Sequence, residues 1–143
     1  MRGFSLIELI LSFALIGILV GVSIPVMQSF QFKSDLDVAI DDTAQRIRRA
    51  QALSQLGKGD ATWGVYVEPD SIIVFQGTSY ATRDTSLDEV TRLARGITPS
   101  GMTEIVFDKL SGLPQSTGVV TVTASDGQER FVTINDQGTI LYD

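Results

Sequence analysis

From Phe4 to Met27 the sequence runs FSLIELILSFALIGILVGVSIPVM, an apolar stretch whose only charge is Glu8. At ~1.5 Å per residue, a helix of this length reaches across a hydrocarbon core of about 30 Å. The expectation is a transmembrane helix. Arg2 precedes it, and positive flanks stay on the cytoplasmic side, so the expected orientation is N-terminus inside and the remainder outside. An ordinary secretory signal has a shorter apolar stretch of about 7–15 residues and a small-x-small cleavage site, which Ser23-Ile24-Pro25-Val26-Met27 does not supply. Glu8 is the residue that needs explaining. A carboxylate at mid-bilayer costs roughly 2.5–3.5 kcal/mol on insertion scales. Either a partner meets it, or it sits one turn inside the membrane edge, within reach of water.

Composition narrows the chemistry. The chain has 143 residues, with 11 Lys and Arg against 17 Asp and Glu, and neither His nor Cys. That removes Ser-His and Cys-His nucleophile systems, thiolate metal sites and the commonest zinc ligands. The expectation is a non-enzymatic protein without a cofactor or metal site. The acidic balance speaks against nucleic acid as a partner, because phosphate contacts need clustered Lys and Arg.

The residues at the head of the apolar run are Gly3-Phe4-Ser5-Leu6-Ile7-Glu8-Leu9. This stretch resembles the class III signal of type IV prepilins and pseudopilins: a short basic leader ending in Gly, then Phe, apolar residues, and Glu. The resemblance implies cleavage between Gly3 and Phe4 by a prepilin peptidase, and N-methylation of the new Phe4 terminus. It also implies that Glu8 meets the Phe4 amine of a neighbouring subunit, since a buried carboxylate is tolerable only when paired. Pro25 matches the family's helix-kinking proline. Gly17 and Gly21 weaken helix propensity before it. They fit either a stretch that melts on assembly or a small-residue packing face. The implied partners are other pilin or pseudopilin subunits, the peptidase, an inner-membrane assembly platform, and membrane lipid before assembly. The implied destination is an extracytoplasmic fibre.

Beyond Met27 the sequence is polar but keeps a helical stripe at Leu36, Ile40, Ile47, Ala50 and Leu53, which Gly57 and Gly59 end. From Ala61 the pattern becomes β. Strands are expected over 62–67, 72–75, 103–107, 119–123, 130–134 and 139–142, with turns at 68–71, 125–128 and 135–138. Residues 78–97 read ambiguously: Ser86 to Glu89 resembles a helical start, and Val90 to Leu93 fits a strand equally well. The expected fold class is α+β, a long spine helix with a transmembrane first half packed on an antiparallel β-sheet head. Its parts are a leader (1–3), the transmembrane or assembly half of the spine (4–27), its amphipathic half (28–57) and the globular head (58–143).

Within the head, Trp63-Gly64-Val65, Gly96-Ile97, Ile105-Val106-Phe107 before Gly112-Leu113-Pro114, and Gly138-Thr139-Ile140 resemble H-type minor pseudopilins of type II secretion and FimT-type minor pilins. The resemblance implies a minor subunit of a type IV pilus or type II secretion pseudopilus. The alternative is a pilus-borne binding module, an adhesin or a DNA-uptake pilin. Asp35, Asp37, Asp41 and Asp42 form an acidic cluster that reads as a solvated helical face rather than a calcium loop, which would need a Gly-bearing turn. Arg46, Arg48 and Arg49 form the one basic cluster, expected to pair with acidic residues of neighbouring subunits or to solvate the helix.

Overall fold

The computed structural model describes residues 5–143, without the side chains of residues 22–26, 28 and 29. Helix α1 spans Leu6–Gln55. Eight strands come after it: β1 (Trp63–Val67), β2 (Ser71–Gln76), β3 (Glu89–Arg92), β4 (Ile97–Gly101), β5 (Glu104–Phe107), β6 (Gly118–Ala124), β7 (Glu129–Ile134) and β8 (Ile140–Tyr142).

The expected fold class is corrected in two respects. The strands do not make one sheet. They make two antiparallel sheets of four strands, ordered β3-β2-β1-β5 and β4-β6-β7-β8. Nor is a spine with a membrane-crossing first half found. Among the described residues no helix is long and apolar enough to cross a membrane. The described helical side chains fall into an apolar stretch over 6–21, about 16 residues, and a later one over 30–55, about 26. The later stretch is amphipathic, with Asp, Arg and Lys on its outer side. The expectation of a single-pass membrane protein falls with it.

Among the described residues of α1, the buried ones lie in the later stretch. Leu36, Ile40, Ile47, Ala50 and Leu53 are buried, and Ala39, Thr43 and Ala44 widen the stripe at the same three- and four-residue steps. One apolar cluster joins them to the inner faces of both sheets: Val65, Val74, Ile105 and Phe107 from the first, Val120, Val122, Val132 and Ile134 from the second. Thr43 satisfies its buried hydroxyl by donating to the Ala39 carbonyl at 2.7 Å. The helix stops at Leu56. Gly57 comes next with φ 59°, the left-handed conformation that a C-terminal glycine adopts without steric cost.

Ser54 ties helix to sheet. Its hydroxyl accepts from the Trp63 amide at 2.7 Å and donates to the Phe107 carbonyl at 3.0 Å, so the last turn of α1 is bonded to both β1 and β5. Gln51 does the same for two loops, donating to the Gly112 and Gly138 carbonyls at 3.1 and 2.9 Å.

The ambiguous region resolves into two single 3-10 turns, Tyr80–Thr82 and Thr85–Leu87, followed by β3. Asp84, not Ser86, caps the second turn, accepting from the Ser86 amide at 3.0 Å. Strand β4 has no counterpart among the expected strands. Pro99 within it removes a backbone donor, which a sheet tolerates only on an edge, and β4 is an edge. The segment 77–88 folds over the outer face of the first sheet. Tyr80 stacks on Tyr66 with ring centroids 3.7 Å apart, and the Arg83 guanidinium lies 3.6 Å from the centre of the Tyr80 ring.

Candidate assembly surface

Ser5 opens α1 in extended conformation (φ −76°, ψ 148°), and its hydroxyl accepts from the Glu8 amide at 3.3 Å. Ser at the N-cap with Glu three residues on is the spacing of a capping box. A carboxylate in the first turn also lies at the positive end of the helix dipole. Glu8 is exposed, and no described residue is ion-paired with it. Ser12 donates to the Glu8 carbonyl at 2.7 Å.

Apart from Glu8 and Ser12, the helix over 6–21 carries apolar residues and glycines on every side. Leu6 is 80% exposed, Phe13 67% and Val20 54%. Leu9, Ile10, Leu11, Leu15, Ile16, Ile18 and Leu19 are more than half exposed as well. A soluble helix normally shows an apolar stripe facing a core, not an exposed apolar circumference. Burying each such side chain is worth about 1.5–3 kcal/mol. Gly17 and Gly21 lie on it with open space around them: a Cβ added at either would meet nothing within 4 Å. Gly3 and Phe4 lie outside the described residues, as does the side chain of Pro25.

The charged groups along the later stretch are partly engaged within the chain. Arg49 binds both carboxylate oxygens of Glu89, at 2.5 and 2.6 Å. That hydrogen-bonded contact holds the Glu89 carboxyl below its ordinary range. Arg48 lies 5.1 Å from the centre of the Tyr142 ring and reaches the Ile140 carbonyl at 3.4 Å. Asp37 pairs with Arg130 of β7 at 3.5 Å. The expectation that the arginines only solvate the helix or pair between subunits is therefore corrected for Arg49, whose partner is in its own head. Among the described residues no group of acidic side chains could hold a metal ion.

A second polar cluster has no signal in the sequence beyond its separate Tyr, Arg and acidic residues. The Tyr80 hydroxyl donates to Glu68 at 2.7 Å and its amide to Glu104 at 2.8 Å, while Arg83 grips Asp88 at 2.8 and 3.1 Å. These groups satisfy one another locally, so the cluster rivets the 77–88 segment to the sheet.

Compared with known protein families, curated proteins and solved structures, the chain matches none.

Proposed function

We propose that this chain is a structural subunit of a helical fibre, a pilin or pseudopilin of type IV pilus or type II secretion pseudopilus kind, acting as a minor subunit. The observation that carries the reading is the exposed apolar circumference of residues 6–21, projecting no core-facing stripe and opening on Glu8. Packing those helices side by side buries in the assembly what one copy leaves bare. The Gly3-Phe4…Glu8 pattern supplies the processing step: a peptidase cuts after Gly3, and the new Phe4 amine becomes the cation that Glu8 requires once both leave water. The chain is non-catalytic in this reading, and its partners are other subunits, the peptidase and an assembly platform. The test is mass spectrometry of the mature N-terminus together with fibre recovery from a Glu8→Ala variant. A methylated Phe4 terminus and loss of fibre from Glu8→Ala are expected. An uncut Gly3, or normal fibre from Glu8→Ala, sinks the proposal.

A further inference from the structure

Alternation along β6, β7 and β8 gives the second sheet two faces. Val120, Val122, Val132 and Ile134 turn inward to the core cluster. The residues between them turn outward. The register sets Val119, Thr133 and Leu141 in one row across the three strands, and Thr121, Phe131 and Asp143 in the next. Together they line a shallow depression. Val119 is 40% exposed, Phe131 43% and Leu141 62%. The first sheet treats its outer face differently. Phe75 there is fully buried, and the Tyr80 ring of the 77–88 segment meets it edge to face, with centroids 5.7 Å apart. Among the described residues no ring does the same for Phe131.

Charge on this face has one sign. Asp143 lines the depression and Glu129 lies beside it on β7, and among the described residues neither is in an ion pair. The turns at the two ends of β7 add Asp126 and Asp136. Arg130, the one cation on the three strands, is on the opposite face, where it pairs with Asp37 at 3.5 Å.

We infer that the outer face of the second sheet docks an amphipathic helix of a different polypeptide, one whose apolar stripe is flanked by Lys or Arg. Two spacings of about 4.8 Å between three strands make a floor about 10 Å across, the diameter of one helix. A visiting strand would add to an edge instead of lying on a face. The apolar centre takes the stripe, and the carboxylates choose the sign of its flanks. A second copy set face to face would bring Glu129 and Asp143 against their own kind, and like charges repel. Exposed ion pairs add little affinity, so they select the partner while Phe131 and Leu141 hold it. The inference goes beyond the fibre reading and does not depend on it, since residues 6–21 take no part in this face.

The test places the photocrosslinking residue p-benzoylphenylalanine at Phe131 or at Leu141 in the full-length chain, in its native cells. Adducts are mapped by mass spectrometry. Both positions are expected to join one other polypeptide, at a segment with apolar residues at three- and four-residue steps and Lys or Arg beside them. Leu87, exposed to the same 43% on the 77–88 segment, is the control and is expected to give at least fivefold less of that adduct. Glu129→Lys with Asp143→Lys is expected to cut the Phe131 adduct at least fivefold, with Trp63 fluorescence reporting an intact head. The inference is overturned by no adduct, by an adduct to a second copy or to lipid, by a target segment without cations, by equal yield from Leu87, or by full yield in the charge-reversed variant. None of these outcomes touches the fibre reading, which stands or falls on processing at Gly3 and on Glu8.

Discussion

Arg49 on α1 clamps Glu89 on β3 through two hydrogen bonds, at 2.5 and 2.6 Å, across forty positions of sequence. It joins the helix to the edge of the first sheet. The depressed Glu89 carboxyl gives the pair a pH signature. A group whose folded-state value is lowered contributes stability above its ordinary value, here 4.5, and loses it as pH falls through the lowered one. Stability is therefore expected to decline more steeply below pH 4.5 in the parent than in Glu89→Gln. Both side chains are about a third or more exposed, so the substitution should cost less than about 1 kcal/mol at neutral pH. Urea unfolding across that range measures it.

Trp63 is the only tryptophan and is buried, which makes its fluorescence a direct reporter of the head. Ser54→Ala leaves the buried Trp63 amide without its acceptor and the Phe107 carbonyl without its donor. A loss of about 1–3 kcal/mol is expected. An unfolding midpoint unchanged from the parent would contradict the bonding described at the end of α1.

Gly64 is fixed by the groups that lie over it. A Cβ there would sit 2.6 Å from the Phe75 ring and 2.8 Å from the Ile105 carbonyl oxygen. Phe75 is fully buried and the carbonyl belongs to a strand, so neither yields cheaply. Gly64→Ala is expected to destabilise by about 1–3 kcal/mol in chemical denaturation. The same change at Gly17, which faces open space, should leave head stability where it was.

Tyr80 should titrate late. Partial burial, helped by the hydrogen bond to the Glu68 carboxylate, pushes its phenol up to about 12. A folded-state value above the unfolded one of about 10 means stability present below pH 10 and lost as pH rises toward 12. Ultraviolet titration is expected to show a phenol ionising near pH 12, and Tyr80→Phe should remove that component.

How much of the fold and the assembly surface is legible in the sequence varies with the physics involved. The β1–β2 hairpin announces itself by apolar, β-branched runs around turn residues such as Asp70, and the β6–β7 pair by alternating apolar residues around Gly127. The buried stripe on α1 is readable from its spacing alone. Two sheets cannot be told from one, since alternation identifies strands and says nothing of which strands bond to which. Strand β4 is hidden because Pro99, Ser100 and Gly101 are poor strand formers that an edge position accepts. The membrane expectation rests on counting apolar residues, a count that does not ask what the helix packs on. Glu8 stands out in the sequence by its charge, yet its place three residues after Ser5 is just as plain there and is the part the helix start uses. The Tyr66–Tyr80–Arg83 stack depends on a loop path that no local pattern encodes.

The edges of the two sheets share a property with consequences for crowding. On β4, Pro99 lacks a donor; on β8, Arg48 reaches the Ile140 carbonyl. On β3, charged Glu89 and Arg92 flank the strand; beyond β5, the Gln115 amide donates to the Val106 carbonyl and Pro114 closes a bridge to Phe107. Each is a known way of denying a sheet edge to a visiting strand. Heads that meet at very high local concentration are thus protected from amyloid-like zippering and strand exchange, and part again as the same folded units.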